Sequence, residues 1–220
     1  MDKFLTKQAN PQKEKTMGTQ IQGTQIQQQL ITTEKSFLSK MVIEDPAIVK
    51  IVSDCVSDIK DSLQIRPPIK VFNRECRQAR DVGFFSDVSE GYHYSTQQMP
   101  SKPLTKNMKD LLLFINENYK AEFNGILVNR YNHGIQYIGA HSDDEKTLDK
   151  NGVVALSWGA TRKFRIRDKK TKAIHTDIPL RHLSIVHMGG DFQKEFTHEI
   201  PVEKKVKESR ISFTFRKHLV

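Results

Sequence analysis

Arg210-Ile211-Ser212-Phe213-Thr214-Phe215-Arg216 decides the fold class, because apolar and polar residues alternate through it without a break. In an extended chain successive side chains point to opposite faces. Ile211, Phe213 and Phe215 therefore share one face, an ordinary core face. Arg210, Ser212, Thr214 and Arg216 share the other, where two guanidiniums flank two hydroxyls. Arginine grips carboxylates with a two-pronged fork, so this face, turned inward, suits a dicarboxylate. A solvated outer strand face is the plainer reading of the same pattern.

Upstream of this strand the texture is the same. Short β-rich segments cover residues 123–131, 135–141, 153–158, 163–167 and 183–188. Turn residues such as Asn132, Gly134, Asn151, Gly152 and Gly189 separate them. Many short strands at regular spacing predict a sandwich or barrel, not a parallel sheet with crossover helices. Two helices precede them. Asp45-Pro46 is a good cap followed by a residue suited to the first turn, and Ile48, Val49, Ile51, Val52, Cys55, Val56, Ile59 and Leu63 keep helical spacing. A second helix is predicted from about residue 103 to 119, with Leu104, Met108, Leu111, Leu112 and Ile115 on its apolar face. The expected architecture is mixed α+β, with two helices packed on an antiparallel β core.

Residues 1–35 are rich in Gln, Thr and Lys and repeat Gly-Thr-Gln-Ile-Gln at 18–22 and 23–27. Such a segment buries too little apolar surface to offset its ordering entropy and is expected to be a flexible tail, leaving 36–220 as one domain. The 220 residues suffice for one core. Lys and Arg number 35 against 26 Asp and Glu, a net +9 that suits a polyanionic partner. No apolar run approaches the roughly 18 residues of a membrane span, and no secretory signal is expected. Cys55 and Cys76 do not make a disulfide framework.

His141-Ser142-Asp143 ends one predicted strand, so an imidazole and a carboxylate at i and i+2 aim at one point. Two histidines and a carboxylate on one face of Fe(II) leave positions open for a co-substrate and oxygen. By itself His-x-Asp is weak, because loop histidines are common. Of His175, His182, His187, His198 and His218, the best context for a third ligand is that of His198, within a β-like stretch ending at Pro201. Asn129 and Tyr131 form another same-face polar pair just upstream. Arg162, Lys163, Arg165, Arg167, Lys169 and Lys170 crowd one strand and turn, opposed along the chain only by Asp168. This run is expected to contact phosphates.

Asn129-Arg130-Tyr131, His141-x-Asp143-Asp144-Glu145, Trp158-Gly159-Ala160-Thr161-Arg162, His198 and Arg210 to Arg216 together resemble the AlkB family in order and spacing, over about residues 69–217. That resemblance implies a double-stranded β-helix, or jelly roll, and an Fe(II)/2-oxoglutarate dioxygenase using O2. It implies His141, Asp143 and His198 as iron ligands, and Asn129, Tyr131, Arg210, Thr214 and Arg216 around 2-oxoglutarate. Tyr92, Tyr94, Ser95 and Glu145 would meet a flipped base, and Phe72 matches an intercalating finger of duplex-acting members. Lys3-Phe4-Leu5-Thr6-Lys7 resembles a sliding-clamp-binding motif through Lys3, Phe4, Leu5 and Lys7, with Thr6 in place of an aliphatic. The implied activity is oxidative demethylation of 1-methyladenine and 3-methylcytosine in DNA, duplex favoured, by a nuclear monomer. The same chemistry on single strands or RNA, and a non-catalytic nucleic-acid-binding module, are the alternatives.

Overall fold

The structure is a computed structural model, and it describes residues 27–71, 74–94, 97–143 and 152–218. In chain order the elements begin with strands β1 (Gln28–Thr32) and β2 (Ser36–Val42), followed by helix α1 (Pro46–Asp58). Strands β3 (Pro68–Val71), β4 (Arg74–Arg77), β5 (Asp81–Phe85), β6 (Gly91–Tyr94) and β7 (Gln97–Pro100) lead to helix α2 (Lys106–Tyr119). Then come β8 (Gly125–Tyr131), β9 (Ile138–His141), β10 (Val153–Gly159), β11 (Arg162–Asp168), β12 (Ile174–Leu180) and β13 (Ser184–Gly190). A short helix α3 (Phe192–Glu195), β14 (Phe196–Ile200) and β15 (Arg210–Arg216) complete the chain.

Seven strands form one sheet in the order β1-β2-β13-β10-β15-β8-β5, and four form a second, β12-β11-β14-β9. The pairs β3-β4 and β6-β7 stand as separate hairpins. All pairings between named strands are antiparallel among the described residues. Two mostly antiparallel sheets sharing a core, with few helices, are consistent with a jelly roll.

The two faces of the large sheet explain the alternation of β15. Phe213, Phe215, Ile126, Val128, Leu156 and Ile185 lie in one cluster with Val52 and Cys55 of α1 and Met108, Leu111 and Ile115 of α2. The helices therefore seal the outer face. The other face meets the small sheet through Val153, Ala155, Val186 and Met188 against Phe164, Ile166, Phe196 and Ile200. All seven residues of β15 are buried, so its polar face points into the molecule and not to solvent.

Local signals set the helix ends. Asp45 caps α1 by accepting a hydrogen bond from the Ala47 amide at 2.8 Å, with Pro46 in the first turn. Thr105 caps α2 by accepting from the Met108 amide, so that helix starts at Lys106, three residues after the expected position. Lys120 closes it in the left-handed conformation, φ 51°. The helical stripe continues to Ile59 and Leu63, both buried, although α1 itself ends at Asp58.

Two expectations need correction. Gln28–Thr32 fall within the expected tail of residues 1–35, but they pair with β2 as the sheet's edge strand, anchored by buried Ile31. Its exposed glutamines hide the strand, because Ile31 is the one fully buried side chain among its five residues. Residues 1–26 lie outside the described residues. Strand β12 was missed for a related reason: Ile174-His175-Thr176-Asp177-Ile178-Pro179-Leu180 contains a proline, which an edge strand tolerates.

Candidate metal and co-substrate site

Strands β9 and β14 pair so that His198 stands directly opposite His141. Their ring centroids are 4.3 Å apart. Asp143 lies two residues beyond β9, with Oδ1 4.0 Å from His141 Nε2 and Oδ2 3.6 Å from His198 Nε2. One ligand atom from each of the three lies within 4.8 Å of the others. The intervening Ser142 turns away and donates to the Phe196 carbonyl at 2.9 Å, while the Asp143 amide donates to Gln193 Oε1 at 2.9 Å. These two bonds hold the turn that presents the carboxylate.

The protonation states suit metal binding. A carbonyl can only accept, so the 2.9 Å contact between His141 Nδ1 and the Gly139 carbonyl places the proton on Nδ1. This leaves the Nε2 lone pair facing Asp143. Burial lowers the His141 pKa, against a raising influence from Asp143. Burial, reinforced by His141, pushes His198 down to about 3. Burial alone would raise the Asp143 carboxyl, but Arg216, His198 and His141 outweigh it and hold it well below the usual carboxylate range. Two neutral imidazoles beside one carboxylate form the donor set of a 2-His-1-carboxylate Fe(II) centre with open positions.

The polar face of β15 supplies the second half of the site. Arg210 pairs in register with Tyr131, and Ser212 with Asn129, so all four share a face. Arg210 is 2% exposed, donates from Nη2 to Ser157 Oγ at 2.8 Å and lies 5.5 Å from the centroid of the Tyr131 ring. Its Nε and Nη1 are buried with no hydrogen-bond partner. Burial brings its pKa down to about 10, with Arg162 pushing the same way and Tyr131 opposing. A buried guanidinium with two unmet donors is a costly feature unless an anion completes it. At the other end of the strand, Arg216 donates from Nη2 to Asp143 Oδ1 at 3.1 Å. Both arginines, Thr214 and the three metal-ligand candidates line one cavity, walled on its apolar side by Leu127, Leu180 and Met188. The residues fit a dicarboxylate anchored at Arg210 and reaching towards the metal position. Gly159 lets β10 pass Arg210 closely: at φ 91°, a Cβ there would lie 2.4 Å from the Ser209 carbonyl oxygen.

Two residues of the site were not anticipated. Arg80, 4% exposed, donates from Nε to Asn129 Oδ1 at 2.7 Å and lines the cavity. Ser157 meets Arg210. Ser157 carries a signal in sequence, as a polar residue ending the apolar run Val153 to Leu156; Arg80 carries none along the chain.

Tyr92 is 4% exposed and lines the same cavity, with Arg216 4.9 Å from its ring centroid. The side chain of Tyr94, and Ser95, Glu145 and Phe72, lie outside the described residues, as do Lys3, Phe4, Leu5 and Lys7. The basic run is dispersed by its cross-strand neighbours. Arg162 is 1% exposed and donates to Glu203 and to the carbonyls of Gln136 (2.9 Å) and Pro201 (2.7 Å). It is an internal strut and not a phosphate contact. Arg165 makes a two-pronged pair with Asp177 at 2.7 and 2.8 Å, and Arg167 pairs with Glu199 at 2.8 Å. Lys163 lies 3.7 Å from Asp177, and Lys169 donates to the Gln193 carbonyl. Lys170 stays exposed.

The fold and the donor set are thus consistent with a jelly-roll protein whose two histidines and one carboxylate suit Fe(II), beside a pocket lined by buried arginines. A family model described as the 2OG-Fe(II) oxygenase superfamily matches residues 38–216, and the chain belongs to that superfamily. Within it the chain is similar to AlkB-type proteins. It is 29% identical over 160 residues to the DNA oxidative demethylase ALKBH2 of Homo sapiens, covering 69% of this chain and 61% of that protein. It is 34% identical over 149 residues to the human alpha-ketoglutarate-dependent dioxygenase alkB homolog 3, covering 64% of this chain and 52% of that protein. The chain spans 57% to 66% of the length of the ALKBH2 relatives it matches. The solved structure of OsALKBH1 shares the fold, with a TM-score of 0.53 at 17% identity, covering 86% of this chain and all of that one.

Proposed function

We propose that the protein is an oxidative dealkylase of DNA, removing N-methyl groups from 1-methyladenine and 3-methylcytosine and releasing formaldehyde and succinate. The observation that carries this reading is the buried Arg210 with its two unmet donors, in one cavity with His141, Asp143 and His198. The similarity to DNA oxidative demethylases supports nucleic acid as the substrate.

The chain's residues would act as follows. His141, Asp143 and His198 would hold Fe(II), which with 2-oxoglutarate and O2 supplies the oxidation of a C–H bond. Arg210 and Tyr131 would take the distal carboxylate, and Asn129, Thr214 and Arg216 would line the path to the metal. Arg216 also fixes Asp143 and offsets its charge, keeping that carboxylate ionised. The sheets and the Leu127, Leu180 and Met188 wall exclude water from the reacting centre. Tyr94, Ser95 and Glu145 would recognise the flipped base, and Phe72 would fill the stack it leaves. The N-terminal motif would tether the enzyme to the replication sliding clamp in the nucleus.

A second reading keeps the chemistry and changes the strand. The commitment of Arg165 and Arg167 to Asp177 and Glu199 leaves less charge for a second phosphate backbone, which favours single-stranded DNA or RNA. Rates on one 1-methyladenine, presented in a single strand and in a matched duplex, separate the two. Faster release from duplex supports genomic repair; release confined to single strands moves the substrate to transcripts or exposed DNA.

A further inference from the structure

The cavity wall that carries Tyr92 is fastened at its base by a residue outside the catalytic set. Strand β6 starts at Gly91, and its second residue, Tyr92, packs over Arg216. Two residues past β15, His218 is 4% exposed and lies against this point. Its Nδ1 is 3.0 Å from Ser89 Oγ, and Ser89 Oγ donates to the Gly91 carbonyl at 3.2 Å. With the serine proton committed to Gly91, the Nδ1 proton of His218 completes a chain that ends on the first residue of β6. The ring stacks on Phe84, with centroids 4.9 Å apart and planes at 22°, and lies 6.5 Å from the Tyr92 centroid. The backbone of His218 is itself clamped. Asn124 Oδ1 accepts from its amide and Asn124 Nδ2 donates to its carbonyl, both at 2.8 Å.

We propose that His218 is a positioning residue that fastens the β6–β7 hairpin to the end of β15, and so sets where that wall stands over the metal cavity. The clasp runs from the strand holding Arg210, Thr214 and Arg216 to the strand holding Tyr92, without touching a metal-ligand candidate. Its consequence for a nucleic-acid base rests on the dealkylase reading; its consequence for the hairpin does not.

The test uses the full chain and three variants: His218→Phe, Ser89→Ala and the double. His218→Phe keeps a flat ring on Phe84 and removes the Nδ1 bond; Ser89→Ala removes that bond together with the one from Ser89 Oγ to the Gly91 carbonyl. Amide hydrogen exchange of β6 and β7 should quicken by about threefold to tenfold in His218→Phe, the worth of one net hydrogen bond, and by at least as much in Ser89→Ala. The double variant should match Ser89→Ala, because that single variant has already lost the link that His218→Phe removes. Exchange in β8 and β15 should not change. The KM for a 1-methyladenine oligonucleotide should rise by a similar factor while the KM for 2-oxoglutarate stays constant. Unchanged exchange in the hairpin, or an equal rise in β8 and β15, overturns the proposal. Faster hairpin exchange with no formaldehyde from any wild-type reaction upholds the clasp and rejects the dealkylase.

Discussion

Replacing Arg210 with Met tests the co-substrate pocket from both sides. The Nε and Nη1 donors of Arg210 have no partner, and Nη2 is held by Ser157. A carboxylate taken by the two free donors forms two charge-assisted hydrogen bonds, each worth about 1.5–3 kcal/mol. Losing both costs about 3–6 kcal/mol, and at 1.36 kcal/mol per factor of ten the KM for 2-oxoglutarate should rise by at least about 100-fold. The effect on the unliganded fold has the opposite sense. Burial already disfavours the Arg210 charge, lowering its pKa to about 10, and a well-packed apolar side chain relieves that cost. The melting temperature of Arg210→Met without co-substrate should therefore hold or rise. The assay is succinate formation against 2-oxoglutarate concentration, beside thermal melts with and without co-substrate. A lower melting temperature with an unchanged KM would refute the reasoning, because Arg210 would then be a structural strut.

Four further outcomes follow from the same geometry. His198 stays neutral in the fold down to about 3, whereas an unfolded histidine takes its proton near 6.5. The unfolded chain therefore binds the proton first as pH falls, so stability is complete above about 6.5 and is lost progressively towards 3. Urea midpoints of the metal-free protein should fall between pH 6.5 and 4 and flatten in His198→Gln; the Asp143 contribution, of a depressed carboxylate, is lost only below about 3.9. Phe213 is fully buried between the large sheet and the helices, so Phe213→Ala should cost about 3–5 kcal/mol in a denaturant titration. Arg162→Met should lower stability by leaving the Gln136 and Pro201 carbonyls without a donor, yet leave the salt dependence of DNA binding unchanged. Lys170→Ser, in contrast, should reduce that salt slope by about 1.

The sequence pattern was most legible where one strand has two chemically different neighbours. β15 reads clearly because the helices cover its apolar face and the cavity receives its polar one. His141 and Asp143 were legible through their i, i+2 spacing, but only the β9–β14 register shows that His198 completes them rather than His187, which packs between Phe37 and Tyr119. Charge was the least legible property. A count along the chain opposes the basic run with Asp168 alone, while the fold brings Asp177 and Glu199 to it from neighbouring strands and Glu203 from the loop after β14. Arg162 shows the consequence: the same residue type reads as a phosphate contact in sequence and is a buried strut in the fold. Arg80 was invisible for a similar reason, since its partner Asn129 is 49 residues away.

The most direct test of the account is the stoichiometry of product release from an oligonucleotide carrying one 1-methyladenine, with Fe(II) and 2-oxoglutarate, beside His141→Ala. The account predicts one formaldehyde and one succinate per repaired base, both dependent on iron and both absent in the variant. Succinate without formaldehyde would contradict the proposed substrate, and formaldehyde persisting in His141→Ala would contradict the site itself.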